Sequence, residues 1–294
     1  MAQAMPDAKH RSEASIVPDS EFVFTASDFR KIAALVHGQA GIVLTEGKAN
    51  LVYSRLAKRL RAIGLRSFRD YCALIESEEG AAERIAMISA MTTNVTSFFR
   101  EPHHFEYLKA HLSPLIAAAR AGQAVRLWSA GCSSGEEPHS IALTLLEEMP
   151  DAGEHDVRIL ATDIDPEMII RGRAGTYSAS ALSGIPSSMR NRILPAAVGS
   201  QATFAPEVRK LIRFNELNLL APWPMKVKFD VIFCRNVMIY FDEPTQDEIW
   251  RKFHAMLKPS GLLFIGHSER IAMDRHAFDL VAQTTYRPRR SGRP

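Results

Sequence analysis

With 294 residues, 46% of them hydrophobic and 23% charged, the chain can bury one large core or two and is too apolar to be disordered throughout. Its formal net charge of +3 is too small to demand nucleic acid, and no run approaches the ~20 apolar residues that a membrane helix needs. Cys72, Cys132 and Cys234 stand far apart, with no CxxC and no histidine cluster at ligand spacing, so a reduced, cytoplasmic protein without a metal is expected.

Residues 1–22 lack the apolar run of a signal peptide and are expected to form a disordered tail. Residues 23–92 then read as a helical domain. Within it, Asn50 to Ile63 carries Val52, Leu56, Leu60 and Ile63 at spacings that give one apolar stripe, while Arg55, Lys58 and Arg59 fall on another face. Such a charged face is ordinarily solvated. The stretch TNVTSFFRE, Thr93 to Glu101, joins this helical block to the α/β segment after it, and it is too polar for a core helix and too aromatic for an ordinary linker.

From Val125 onward strands alternate with helices: Val125–Trp128, helix Glu137–Glu148, Val157–Ala161, then Phe229–Cys234, helix Thr245–Leu257, Gly261–Ile265, and a last strand over Phe278–Tyr286. That alternation predicts a mostly parallel, doubly wound α/β sheet over residues 93–287, followed by a basic tail at 288–294. The span Thr176 to Phe214 is longer than a strand-to-helix connection should be. No internal repeat is visible.

In doubly wound sheets ligands bind at the carboxyl ends of the strands. The first strand ends in Gly131-Cys132-Ser133-Ser134-Gly135-Glu136-Glu137, whose glycine spacing fits neither the dinucleotide fingerprint nor the phosphate loop. Its two acids would repel a pyrophosphate and suit a cation. The second strand ends in Ala161-Thr162-Asp163-Ile164-Asp165-Pro166, where Asp165 fits as a helix cap and Asp163 as an acceptor for ribose hydroxyls. A ribose and a cation without a pyrophosphate describe S-adenosylmethionine. After the third strand comes CRNVMIYF, with neither the D/N-P-P-Y turn of base amino-methylating enzymes nor their Pro-Cys counterpart for cytosine.

Six ordered motifs, TNVTSFFRE, WSAGCSSGEEPHSIA, ATDIDP, LNLLAPWP, FDVIFCRNVMIYF and LKPSGLLFIGHSE, closely resemble the chemotaxis receptor methyltransferases of the CheR family. The resemblance covers about Phe24 to Tyr286. It implies an all-helical N-terminal domain, a class I S-adenosylmethionine-dependent methyltransferase domain with a small inserted β-subdomain at 176–214, and methyl esterification of glutamates on methyl-accepting chemotaxis receptors. It further implies that Asn94, Thr96, Arg100, Glu136, Asp163, Asn218, Leu219, Arg235 and Asn236 hold S-adenosylmethionine, with S-adenosylhomocysteine as product, and that Arg100 and Tyr240 act at the reacting centre. Phe98 and Phe99 are expected to anchor the joining stretch against both domains. In some members of the family the inserted subdomain grips a receptor pentapeptide. Here LPAAVGSQATFAPEVRKLIRF has a single glycine where glycine-rich turns are expected, Ser134 replaces the commoner Thr, and His139 a commoner aromatic.

The expected partner is the cytoplasmic helical domain of a chemoreceptor, docked by Arg55, Lys58 and Arg59; no nucleic acid, no membrane insertion and a monomer are expected. A methyltransferase for nucleic acid or a small molecule is the first alternative, opposed by the missing base-methylation motifs and by the basic helical domain. A non-catalytic S-adenosylmethionine sensor is the second, opposed by Arg100 and Tyr240. Cys132 and Cys234 lack a base partner and are expected to be structural.

Overall fold

A computed structural model describes residues 14–195, 200–272, 274–275 and 277–289. The chain forms two compact units, the first running to Met91 except for Ala40–Ile42, which belong with the second.

The first unit is built from α1 (Ala26–Ala40), α2 (Ala49–Ile63), α3 (Phe68–Glu76) and α4 (Ala81–Met91). Local chemistry fixes their ends. Thr25 and Asp28 exchange hydrogen bonds between side chain and backbone ahead of α1, a reciprocal cap, and Ser67 accepts from the Asp70 N–H at the start of α3. Helix α2 stops at Gly64, which takes the left-handed conformation (φ 76°) and lets the Leu65 N–H reach the Leu60 carbonyl at 3.0 Å. Val52, Leu56 and Leu60 are fully buried as the spacing requires, but Ile63, in the last turn before the chain swings away, is 37% exposed.

Two further expectations need correction. Of the tail expected over 1–22, residues 1–13 lie outside the described part, while the Ile16 N–H donates to the Phe24 carbonyl and the Phe22 N–H to the Tyr53 hydroxyl. The basic face of α2 is not simply free for a partner. Arg59 forms a two-pronged pair with Glu83 of α4 (2.6 and 3.0 Å), Glu83 also accepts from the buried Tyr71 hydroxyl, and Arg55 donates to the Ala90 carbonyl at the end of α4. Only Lys58 of the three is exposed. Arg59→Glu should therefore destabilise the first unit by about 2–4 kcal/mol, below the cost of breaking a fully buried pair because a third of Arg59 stays in water. Thermal unfolding of the variant measures this; an unchanged midpoint would mean that the pair contributes nothing.

The second unit continues with α5 (His103–Ala110), α6 (Ser113–Arg120), β1 (Val125–Ala130), α7 (Glu136–Glu148), β2 (Val157–Asp163) and α8 (Pro166–Ala174). An insertion comes next: β3 (Thr176–Ser178), α9 (Ala179–Leu182), β4 (Ile193–Pro195), β5 (Gln201–Phe204) and α10 (Pro206–Arg209). The chain closes with β6 (Ile212–Glu216), β7 (Phe229–Cys234), α11 (Glu243–Met256), β8 (Leu257–Ile265), β9 (Phe278–Ala282) and β10 (Thr285–Pro288). Seven strands order as β6-β2-β1-β7-β8-β10-β9, parallel from β6 to β8, with β10 antiparallel to β8 and β9 antiparallel to β10. The single last strand expected over 278–286 is thus a hairpin, turned at Thr284 (φ 48°). The insertion is a separate antiparallel sheet, β3-β5-β4, and it ends before β6, which belongs to the large sheet. Its Gly199 lies outside the described residues, as do 290–294 of the basic tail; Arg289 is described and pairs with Asp279.

Successive strand residues face opposite sides, and both sides are apolar, as a covered parallel sheet requires. Leu127, Val231, Phe233 and Phe264 join one core, while Trp128, Ile232, Cys234 and Leu263 join the other. Phe98 packs edge-on against Tyr177 and Phe204, and Phe99 against Phe105, so among the described residues the ring contacts of both lie within the second unit rather than across two domains. His139 supplies the flat ring expected of an aromatic there, stacked on Phe204 at 4.5 Å.

Candidate active site

The loops at the carboxyl ends of β1, β2 and β7 surround one cavity, with the stretch Thr92–Arg100 as a further wall. The β1 loop is shaped by its two glycines. Gly131 (φ 76°) turns the chain so tightly that an added Cβ would lie 2.3 Å from Val237 Cγ2; at Gly135 (φ 97°) one would lie 2.7 Å from Gly172 Cα. Asp163, at the end of β2, accepts from the Ser133 N–H with one oxygen (2.8 Å) and from the Asp165 N–H with the other (3.0 Å). A carboxylate offers about four acceptor sites, so these donors leave room for a ligand hydroxyl. Burial pushes the Asp163 carboxyl up, against the pull of these backbone donors. Asp165 caps α8 through the Glu167 N–H, as its place before Pro166 suggested.

Asn94 stitches the wall to both loops: its carbonyl accepts from the Ser133 hydroxyl (2.9 Å), and its amide donates to Asp165 (3.0 Å). Thr96 and Arg100 line the cavity beside it, with Arg100 braced on the Val95 carbonyl. Asn218 and Leu219 close another side, the Asn218 amide oxygen turning the chain by accepting from the Leu220 N–H. From the β7 loop come Arg235, Asn236 and Tyr240.

Glu136 departs from expectation. It folds back onto the Ser134 hydroxyl (2.7 Å) and does not line the cavity; its neighbour Glu137 does. One residue of helix is a rotation of roughly 100°, which decides which of two adjacent acids faces inward. Glu137 accepts from Ser129 (2.6 Å) and pairs with Arg235 (3.2 Å), and Arg235 also pairs with Glu101 (3.4 Å), donates to the Arg100 carbonyl and lies 5.8 Å from the centre of the Phe105 ring. Burial pushes the Glu137 carboxyl up, and Arg235 opposes that shift. With all three groups ionised, one guanidinium sits between two carboxylates, so this group by itself carries one negative charge in excess. Glu101 and Glu137 were not singled out from the sequence, whose only signal was the acidic pair closing the β1 loop.

Glu101 also brings together a group that sequence spacing did not reveal, since ligand atoms of Glu101, His103 and His104 lie within 4.8 Å of one another. The nearby Arg235 charge disfavours a cation there, and burial drives the His104 ring down to about 3, so it is neutral. The Cys132 and Cys234 thiols are buried, Cys132 in the cavity wall, and burial pushes both well above their ordinary range, which disfavours the thiolate form that a nucleophile needs.

A glycine-rich turn, an acid at the next strand end and an excess negative charge, gathered over the strand ends of this seven-stranded sheet, define a class I S-adenosylmethionine-dependent methyltransferase. The pattern described as CheR methyltransferase, SAM binding domain matches residues 94–287, and that described as CheR methyltransferase, all-alpha domain matches residues 27–92. A probable chemotaxis protein methyltransferase of Rhizobium etli is 52% identical over 258 residues, 86% of this chain and 96% of the relative. Chemotaxis protein methyltransferase 2 of Pseudomonas aeruginosa is 41% identical (92% and 96% covered), and the chemotaxis protein methyltransferase of Escherichia coli is 42% identical (88% and 89%). The chain belongs to the CheR methyltransferase family.

The residues present fit the cofactor. Gly131 and Gly135 let the β1 loop turn with no side chain at those two positions, Asp163 faces the cavity as an acceptor, and the Glu101–Arg235–Glu137 group beside it holds two carboxylates to one guanidinium.

Proposed function

We propose that the chain esterifies glutamate side chains of chemotaxis receptors, with S-adenosylmethionine as methyl donor and S-adenosylhomocysteine as product. The observation that carries this reading is that Arg100 and Tyr240 line the same cavity as Gly131 and Asp163. A receptor glutamate, with an ordinary pKa of about 4.3, arrives ionised and needs no base. S-adenosylmethionine supplies an electrophilic methyl on a sulfonium. The substrate carboxylate oxygen forms the new C–O bond as the C–S bond breaks, its electron pair staying on sulfur and no proton moving. Arg100 orients the substrate carboxylate, and Tyr240 donates its hydroxyl to a polar group at the reacting centre. Alignment of this kind is worth on the order of 7–11 kcal/mol.

Arg100→Ala and Tyr240→Phe should therefore lower kcat at least ~10-fold more than they weaken S-adenosylhomocysteine binding. Steady-state kinetics beside calorimetry separates the two quantities. Equal losses would make both residues binding groups only.

The substrate surface we infer is the cytoplasmic helical domain of the receptor, met by a monomer in the cytoplasm. Lys58, the exposed one of these three cations, is the cleaner probe of docking, because Arg55 and Arg59 brace α4. Lys58→Glu should slow receptor methylation at low salt while leaving the thermal midpoint in place. Equal rates for variant and wild type at low salt would remove Lys58 from the interface.

A further inference from the structure

The loop after β7 carries Arg235, Asn236 and Tyr240 into the cavity, yet its backbone is unusual: Asn236 takes φ 60°, a conformation that a non-glycine residue adopts only when something holds it. What holds it is Glu269, which is 4% exposed and does not line the cavity. One carboxylate oxygen accepts from the Val237 and Met238 N–H groups, both at 2.8 Å. The other accepts from Asn236 N–H at 3.0 Å and from Gly266 N–H at 2.6 Å. Three consecutive amides of the loop thus converge on one carboxylate, the arrangement of an anion nest with the anion supplied by the chain itself.

Gly266 makes the approach possible. A Cβ there would fall 2.8 Å from the Asn236 nitrogen and 2.9 Å from the Glu269 carboxylate. In Gly266-His267-Ser268-Glu269 the glycine clears the space that the acid, three residues on, reaches across.

We infer that Glu269 is a positioning residue for methyl transfer. By fixing the left-handed turn at Asn236 it sets Asn236 and Tyr240 in the cavity without touching either ligand. This rests on the cavity being the S-adenosylmethionine site, which wild-type affinity for S-adenosylhomocysteine checks separately. Neutral Glu269→Gln keeps the size but replaces one acceptor by an amide that points N–H against N–H. It should lower kcat/KM by ~30-fold or more, with circular dichroism unchanged, and speed hydrogen exchange at 236–240. A purely structural role would not couple to Tyr240. If Glu269 acts by placing that hydroxyl, adding Tyr240→Phe to Glu269→Gln should cost far less than Tyr240→Phe costs in the wild type. Strictly additive losses, or kcat/KM within twofold of wild type in folded Glu269→Gln, would overturn the inference. Should Glu269→Gln not fold, Glu269→Asp, one methylene short of the amides, carries the same cycle and the same criteria. Absence of S-adenosylhomocysteine binding by the wild type would instead refute the cofactor site.

Discussion

Asp163→Ala should weaken S-adenosylhomocysteine binding by about 3–5 kcal/mol, well beyond the loss of a single charged hydrogen bond. The excess arises because Asp163 does two jobs. Its carboxylate faces the cavity, and it also holds the Ser133 N–H in the β1 loop and the Asp165 N–H at the start of α8. Removing it takes away the ligand's acceptor and releases the loop that Asn94 is tied to through the Ser133 hydroxyl. Asp163→Asn keeps one acceptor oxygen and should fall between alanine and wild type. Calorimetric titration decides, and an alanine variant with wild-type affinity would remove Asp163 from the site.

Arg235→Met is the second large effect. Arg235, 6% exposed, sets its guanidinium between Glu101 and Glu137, whose side chains are each 12% exposed; its removal strips Glu137 of its ion pair and leaves Glu101 only His267, a loss of roughly 3–5 kcal/mol of stability. The pH dependence has a definite sign. Burial already raises the Glu137 pKa, and without Arg235 it rises further above its unfolded value. A raised carboxyl pKa means the folded state binds protons that the unfolded state does not, so the deficit should shrink as pH falls below the folded pKa and grow as pH rises through it. Denaturant unfolding at several pH values tests both points. Glu137→Gln added to Arg235→Met should recover part of the loss, and a deficit independent of pH would argue against unpaired carboxylates as its cause.

Much of this architecture is legible in the sequence because parallel strands write themselves as short apolar runs ending in turn residues. Phe229–Cys234 matches its strand to the residue, and β1 and β2 differ only at their carboxyl ends. The motif residues converge for the same reason, since strand ends in such a sheet are brought to one edge. What escaped depends on quantities that spacing does not encode. Glu136 and Glu137 are equivalent in composition, and only the rotation of the first helical turn separates them. Thr284 makes its turn without glycine, so the hairpin of β9 and β10 reads as one strand. Arg59 looks like a solvated charge until Glu83, 24 positions further on, is folded against it. Glu269 acts on backbone amides, which carry no side-chain signature at all.

Transfer of a methyl group to receptor glutamates is tested by incubating the protein with S-adenosylmethionine labelled in the methyl group and the cytoplasmic domain of a chemoreceptor. Label should appear on the receptor, be released by mild base as methanol, be lost when the accepting glutamates are changed to alanine, and diminish with Tyr240→Phe and Arg100→Ala. Label that survives base, or that appears on nucleic acid or a small molecule but not on the receptor, would contradict such transfer.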